Sequence, residues 1–369
     1  MNTTIKLPLY AKVSQIVLGI FILFYILYIG QAIIIPIIFS LIIAILLNPI
    51  VNFLCGKKVH RFVAILITIL LAILCLAALL YFITSQIIMF GEMLPELEEN
   101  INILINQVIQ WISQIFNVST EKINGWLAQM QKEALTAGKS LIGPTILSAG
   151  GLITVFLLLP IYIFLILWYK QLFLEFISKL FPAEKHKTVA EVLVESKLLI
   201  QNYLVGLLMQ TGIVAVLNTL GLIILGIEYA VLLGVISALL NVIPYIGGIV
   251  AMALTIVIVL ATKAPIYALW VLILFSVVQF LDNNIISPKI VSSKIKINEF
   301  ISIVAVLVGS ALWGIPGMFL SLPIIAIIKV IFDRIDPVEP FGFLLGNNMS
   351  ANEKGLLKFS KKKVKESNS

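Results

Sequence analysis

The 369-residue chain is 61% hydrophobic and 12% charged, with a mean hydropathy of +1.12, against roughly half apolar and a quarter charged in soluble domains. A soluble core hides one or two continuous apolar runs, whereas this chain has many, so a soluble protein is excluded and a membrane protein remains. The formal charge of +7 falls in short clusters beside apolar runs, with no basic face interleaved with aromatics, which argues for a positive-inside bias and against nucleic acid as a partner.

Apolar runs occupy residues 13–31, 34–54, 62–90, 147–169, 204–226, 229–243, 246–262, 265–281, 300–313 and 315–332. The first lacks a small-residue cleavage site and is too long for a signal-peptide core, so it is expected to stay as an anchor. Runs 229–243 and 300–313 are short for a span and read as half-helices. If each pairs with its neighbour across a Pro/Gly break as a re-entrant hairpin, about six to eight full spans remain. The expected fold is therefore all-α and polytopic.

Lys6 and Lys12 precede the first run, and Lys57, Lys58 and Arg61 follow the second, which predicts a cytoplasmic N-terminus and N-terminal spans within residues 1–90. Residues 91–145 then form an extracytoplasmic insert, in which Glu92, Glu96, Glu98, Glu99, Glu121 and Glu133 outnumber Lys122, Lys132 and Lys139. Ile101, Leu104, Ile105, Val108, Ile112 and Ile115, then Ile123, Trp126, Leu127 and Met130, recur at helical steps and predict two amphipathic helices joined near Asn117–Thr120. A span at 146–170 returns the chain to a cytoplasmic amphipathic stretch, 171–203, whose Phe173, Phe176, Ile177 and Leu180 suit a helix at the membrane interface. Residues 204–335 form a C-terminal transmembrane bundle. Residues 336–369 form a cytoplasmic basic tail with Lys361, Lys362, Lys363 and Lys365. Membrane lipid is the partner that all of this implies.

Enzymatic constellations are missing. The chain has no His-Glu-x-x-His, no Gly-x-Ser-x-Gly and no phosphate-binding glycine loop, and its two histidines, His60 and His186, sit in basic patches. Cys55 and Cys75 form no Cys-x-x-Cys and read as packing residues. No enzyme activity, cofactor or metal is expected.

The informative segments are the breaks in the last third. Asn241-Val242-Ile243-Pro244-Tyr245-Ile246-Gly247-Gly248 and Trp313-Gly314-Ile315-Pro316-Gly317 interrupt apolar runs, and Gln279-Phe280-Leu281-Asp282-Asn283-Asn284 lies between them. Unpaired backbone or carboxylate in hydrocarbon costs several kcal/mol, so such breaks persist where protein or a water-filled cavity satisfies them. Paired Gly/Pro-interrupted segments point to a transporter's binding site. Asp282 is the first candidate, at a point where the helix is expected to unwind; the alternative is a helix end at the interface, paired with Lys289. Asn241, Gln279, Asn283 and Asn284 offer neighbouring oxygens. Pro244 removes a backbone donor, and Gly247 and Gly248 allow close approach. Gly314, Pro316 and Gly317 form the second break. Gln201, Asn202, Gln210, Thr211, Asn218 and Thr219 put further polar groups along the fifth span, as helix-to-helix hydrogen bonds or a pore-lining stripe.

At these segments the chain resembles the AI-2E family of bacterial membrane transporters. The resemblance is carried by Asn241 to Gly248, by Asp282-Asn283-Asn284-Ile285-Ile286-Ser287-Pro288-Lys289-Ile290-Val291, and by Gly309 through Pro323 with Gly314-Ile315-Pro316-Gly317-Met318. The early Ala44 to Asn48-Pro49 step and the external insert match as well. Ser292, Ser293 and Asn298-Glu299-Phe300 depart from the family's usual glycine and His-Pro step. The resemblance implies a bacterial inner-membrane protein that forms a homo-oligomer, with export of the quorum signal autoinducer-2 in some members and exchange of sodium or lithium for protons in others. Signal export calls for a neutral hydrogen-bonding site at Asn241, Asn283 and Asn284. Cation/proton antiport calls for a titrating carboxylate, Asp282. A non-transporting oligomeric scaffold is the alternative from another class.

Overall fold

The computed structural model describes residues 8–91, 94–116, 119–141, 149–244, 246–291 and 297–346. Tyr245, Ser292 to Lys296 and the tail lysines beyond residue 346 lie outside them. Among the described residues the regular structure is helical, apart from one isolated bridge between Ile297 and Gly346.

Helices α1 (Leu9–Ile29) and α2 (Gln31–Gly56) turn at Gly30, and α3 (Arg61–Gly91) follows a turn in which Lys58 adopts φ 68°. Helix α6 (Ala149–Trp168) packs against α2 and α3, and the three bury Ala44, Leu47, Val51, Ala64, Ile65, Ile163 and Leu167 between them. Along α1 no described side chain is buried, as expected of a helix facing lipid. Cys55 is half-buried beside this cluster, but Cys75 is exposed on α3, so only the first fits the expected packing role. Lipid is as apolar as leucine, so helices here associate through close packing and hydrogen bonds rather than through the hydrophobic effect.

The insert forms α4 (Leu94–Phe116) and α5 (Thr120–Leu141), the two amphipathic helices expected from the periodicity. They pack on each other, and α4 also lies against α10 (Gly247–Thr262). After α6 the chain bends by 63° into α7 (Lys170–Lys179), which buries none of its residues and exposes Leu172, Phe173 and Phe176. Helix α8 (His186–Ile224) is 39 residues long. It carries the amphipathic stretch into the apolar run without a break, because neither proline nor glycine intervenes before Gly206.

Two hairpins complete the bundle. In the first, α9 (Ala230–Leu240) and α10 are joined by a turn at Asn241 to Ile246, and the base is closed where Lys263 approaches Glu228 at 3.9 Å. It is followed by α11 (Ile266–Leu281), a π-helical turn at Asp282–Ile286 and α12 (Ser287–Ile290). The second hairpin is α13 (Glu299–Phe332), folded in two at Gly314, whose φ of 63° and ψ of −138° only glycine adopts readily. In a straight helix Gly309 and Gly317 would lie about 12 Å apart. Here a Cβ on either would collide with the carbonyl of the other, so the two arms run back to back. Six helices among the described residues are long and apolar enough to span a membrane, with a seventh if the bent pair α6–α7 is one span. Glu299–Phe332 counts among the six by length, yet it is a doubled hairpin.

The hairpins enter from opposite ends of α8. The base of the first lies beside the end of α8, where Ile227 and Ala230 pack on Leu222. The base of the second lies beside its beginning, where Arg334 donates to Glu191 at 2.9 Å and Glu195 at 2.5 Å. A 39-residue helix separates those points by tens of ångströms at about 1.5 Å per residue. The tip of the second hairpin is pinned by Trp313, whose Nε1–H donates to the Leu27 carbonyl at 3.0 Å near the end of α1. Residues 336–346, expected to belong to the tail, are folded: α14 (Glu339–Leu345) caps the base of the second hairpin, and Asn298 Nδ2 donates to the Leu344 carbonyl at 2.7 Å.

Candidate functional site

Small residues bring α8, the first hairpin and α11 together. Gly234 on α9 meets Thr219 on α8, Gly221 on α8 meets Leu274 on α11, and Gly206 on α8 meets the Ile290 carbonyl. That close packing presses the tip of the first hairpin and the end of α11 against the middle of α8.

At this crossing Asp282 is 2% exposed. Gln210 Nε2 donates to both of its carboxylate oxygens, at 2.8 and 2.9 Å, and Asn241 Nδ2 donates to Oδ2 at 2.9 Å. No lysine or arginine among the described residues forms an ion pair with it. A charge held inside a membrane bundle by neutral amides alone is costly, and such residues mark ion or substrate pathways. The helix does not unwind here as the sequence suggested. It widens into a π-helical turn from Asp282 to Ile286, a distortion common at functional sites. Asp282 is buried in the bundle rather than placed at an interfacial helix end.

A cavity of about 10 Å³ lies against the carboxylate, lined by Asn218, Ser237, Asn241, Gly248, Gln279 and Asp282 among others. That is close to the space one water needs. Asn218, 3% exposed, presents an Oδ1 that has no hydrogen-bond partner among the described residues. The Gln279 Oε1 and Asn241 Oδ1 oxygens converge on Gly248, where a Cβ would strike the first and come within 3.0 Å of the second. The cavity thus gathers amide oxygens and a carboxylate with no cationic side chain among the described residues, a donor set suited to a hard monovalent cation, a proton or a water.

Of the candidates read from sequence, Asp282, Asn241 and Gln279 meet here, with Gly248 as the wall. Gly247 packs against the Leu240 carbonyl in the hairpin turn, and Pro244 is half-buried in that turn. Asn283 and Asn284 point away: both are exposed, Asn283 accepting from Gln279 at 3.1 Å and Asn284 donating to the Phe280 carbonyl at 2.8 Å. Gly314, Pro316 and Gly317 shape the second hairpin and do not line the cavity. Of the polar groups expected along the fifth span, Gln210 reaches Asp282 and Asn218 lines the cavity, while Ser237, which the sequence does not mark, joins it from α9.

A model of the AI-2E family transporters matches residues 16–336, nearly the whole chain. The chain belongs to the AI-2E transporter family. It is 29% identical over 310 residues to YrrI of Bacillus subtilis (strain 168), covering 81% of this chain and 86% of the relative. It is 27% identical over 309 residues to YueF of the same organism, covering 81% and 83%. With the AI-2 transport protein TqsA of Escherichia coli (strain K12) it shares 25% identity over 319 residues, 85% of this chain and 90% of TqsA. As an AI-2E family protein it is a multi-pass membrane transporter, and Asp282 and the two breaks all fall inside the matched residues 16–336.

Proposed function

We propose that this AI-2E transporter exchanges a monovalent cation, sodium or lithium, for protons, with Asp282 as the group that alternates between them. The carrying observation is the buried carboxylate without a cationic partner, beside the unpaired Asn218 Oδ1 and the converging Asn241 and Gln279 oxygens. Asp282, Asn218, Asn241 and Gln279 hold the cation, and Gln210 orients the carboxylate. Protonation of Asp282 removes the charge that retains the ion and releases it. Movement of the first hairpin tip opens the cavity to one side of the membrane.

The charge bias supports a bacterial inner-membrane protein with both termini in the cytoplasm, and the face bearing Lys57, Lys58, Arg61, Lys170 and Lys197 turned the same way. Asn283 and Asn284, exposed at the level of a buried membrane site, are costly against lipid, which supports a homo-oligomer whose neighbouring subunit covers them.

The test is the response of a pH-sensitive dye in proteoliposomes on adding sodium, lithium or potassium, for wild type and Asp282→Asn. Cation-dependent proton movement that the variant loses supports the proposal, and silence from folded wild type overturns it. Export of a small polar signal is the second reading, favoured by the likeness to TqsA, which is named for AI-2 transport. The cavity in this conformation is too small for an organic solute. Signal efflux that survives Asp282→Asn would select that reading.

A further inference from the structure

We propose that the protein binds an anionic phosphoryl group where α2, α3, α7 and α8 meet, at the cluster of Arg61, Lys170 and Lys197 beside Asn48. The site lies apart from the Asp282 cavity, shares none of its residues and does not depend on the exchange activity.

Lys170, the first residue of α7, donates from Nζ to Asn48 Oδ1 at 3.2 Å. Asn48 is 5% exposed, and the Nδ2 of the same amide has no acceptor among the described residues. Arg61 donates from Nη2 to the Leu167 carbonyl at 2.7 Å, which fixes its guanidinium at the end of α6, three residues before Lys170. The Lys170 ammonium is pulled below its ordinary value by burial first, then by the Lys197 and Arg61 charges.

None of the three cations forms an ion pair with a carboxylate among the described residues; Glu191 and Glu195, on the same part of α8, are both taken by Arg334. Among the described residues the acceptors in the cluster are neutral, the Asn48 Oδ1 and the Leu167 carbonyl, and no anion offsets its positive charge. A phosphate oxygen satisfies the Asn48 amide while neutralising the like-charge repulsion. Basic pockets between transmembrane helices hold lipid headgroups in this way. Helix α7 favours that source, since its exposed Leu172, Phe173 and Phe176 seat it at the interface and place Lys170 at headgroup depth. A soluble phosphate shares the same chemistry.

The experiment is a titration of the full chain in detergent with phosphatidylglycerol or phosphatidylcholine, read by native mass spectrometry, with thermal melts in millimolar orthophosphate alongside. Wild type, Lys170→Gln, Lys197→Gln, the double variant and the charge-preserving Lys170→Arg are compared. Phosphatidylglycerol is expected to bind wild type and Lys170→Arg alike, and to weaken about fivefold for each lysine removed. If orthophosphate instead raises the wild-type melting temperature, the double variant does not respond, and the two lipids bind equally, the site stands with a soluble anion as occupant. An unchanged preference for phosphatidylglycerol in the double variant assigns anionic-lipid binding to the basic tail and overturns the proposal, as does the absence of any response. Without lipid the glutamine variants should melt at or above the wild-type temperature, because repulsion is relieved, and this also shows that they are folded.

Discussion

Replacing Gln210 with leucine tests whether Asp282 is held as a charged group by neutral donors. Gln210 Nε2 supplies two of the three hydrogen bonds the carboxylate accepts, at 2.8 and 2.9 Å, and Asn241 supplies the third. Hydrogen bonds to charged groups contribute about 1.5–3 kcal/mol each, so losing this shared donor should cost about 3 kcal/mol. Removing the carboxylate as well, in Gln210→Leu/Asp282→Leu, eliminates the stranded charge and should recover much of the loss. The double-mutant cycle is therefore expected to show a coupling of at least about 2 kcal/mol. Equilibrium denaturation in detergent, followed by tryptophan fluorescence, gives the four stabilities. Additive effects, or a single variant within about 0.5 kcal/mol of wild type, would refute the arrangement.

At the second hairpin, Gly317→Val forces a side chain into the Gly309 carbonyl and should destabilise by about 1–3 kcal/mol. Gly212→Ala, with open space around it on α8, should not destabilise and, by helix propensity, should raise stability by up to about 1 kcal/mol in the same thermal melt. In the cavity, Gly248→Ala pushes a methyl against the Gln279 and Asn241 oxygens and should suppress the cation response in proteoliposomes at normal protein yield. Trp313→Phe removes the bond to the Leu27 carbonyl and should lower stability by about 1 kcal/mol. Arg334→Gln breaks two exposed ion pairs and should cost less than about 1 kcal/mol, with the difference shrinking at high salt.

The helical plan was legible because membrane-length runs are read by counting, and the doubled hairpins because proline and glycine stand where an unbroken helix should continue. Asp282 was legible as an isolated charge. Adjacency in sequence misleads about its neighbours on a helix: each residue turns by about 100°, so Asn283 and Asn284 leave the face that Asp282 occupies, while Gln279, three residues earlier, stays nearer to it. Gln210 lies 72 residues from Asp282 in the chain, and no local pattern encodes that pairing. Its spacing from Asn218 marked a polar face of α8 without saying what the face meets. The unbroken length of α8 was hidden by a change of composition near residue 203 that resembles a boundary but carries no breaker.

The closed-base hairpin α9–α10 also has a consequence for biogenesis. Helix α9 is 11 residues long, about 16 Å at the usual rise and well short of the bilayer, so it cannot leave the translocon as an independent span. At its tip Asn241 donates to Asp282, 41 residues later in the chain. A nascent chain stalled after Thr262 therefore lacks the carboxylate to which Asn241 donates, and the tip reaches its final hydrogen bonding after α11 has been inserted.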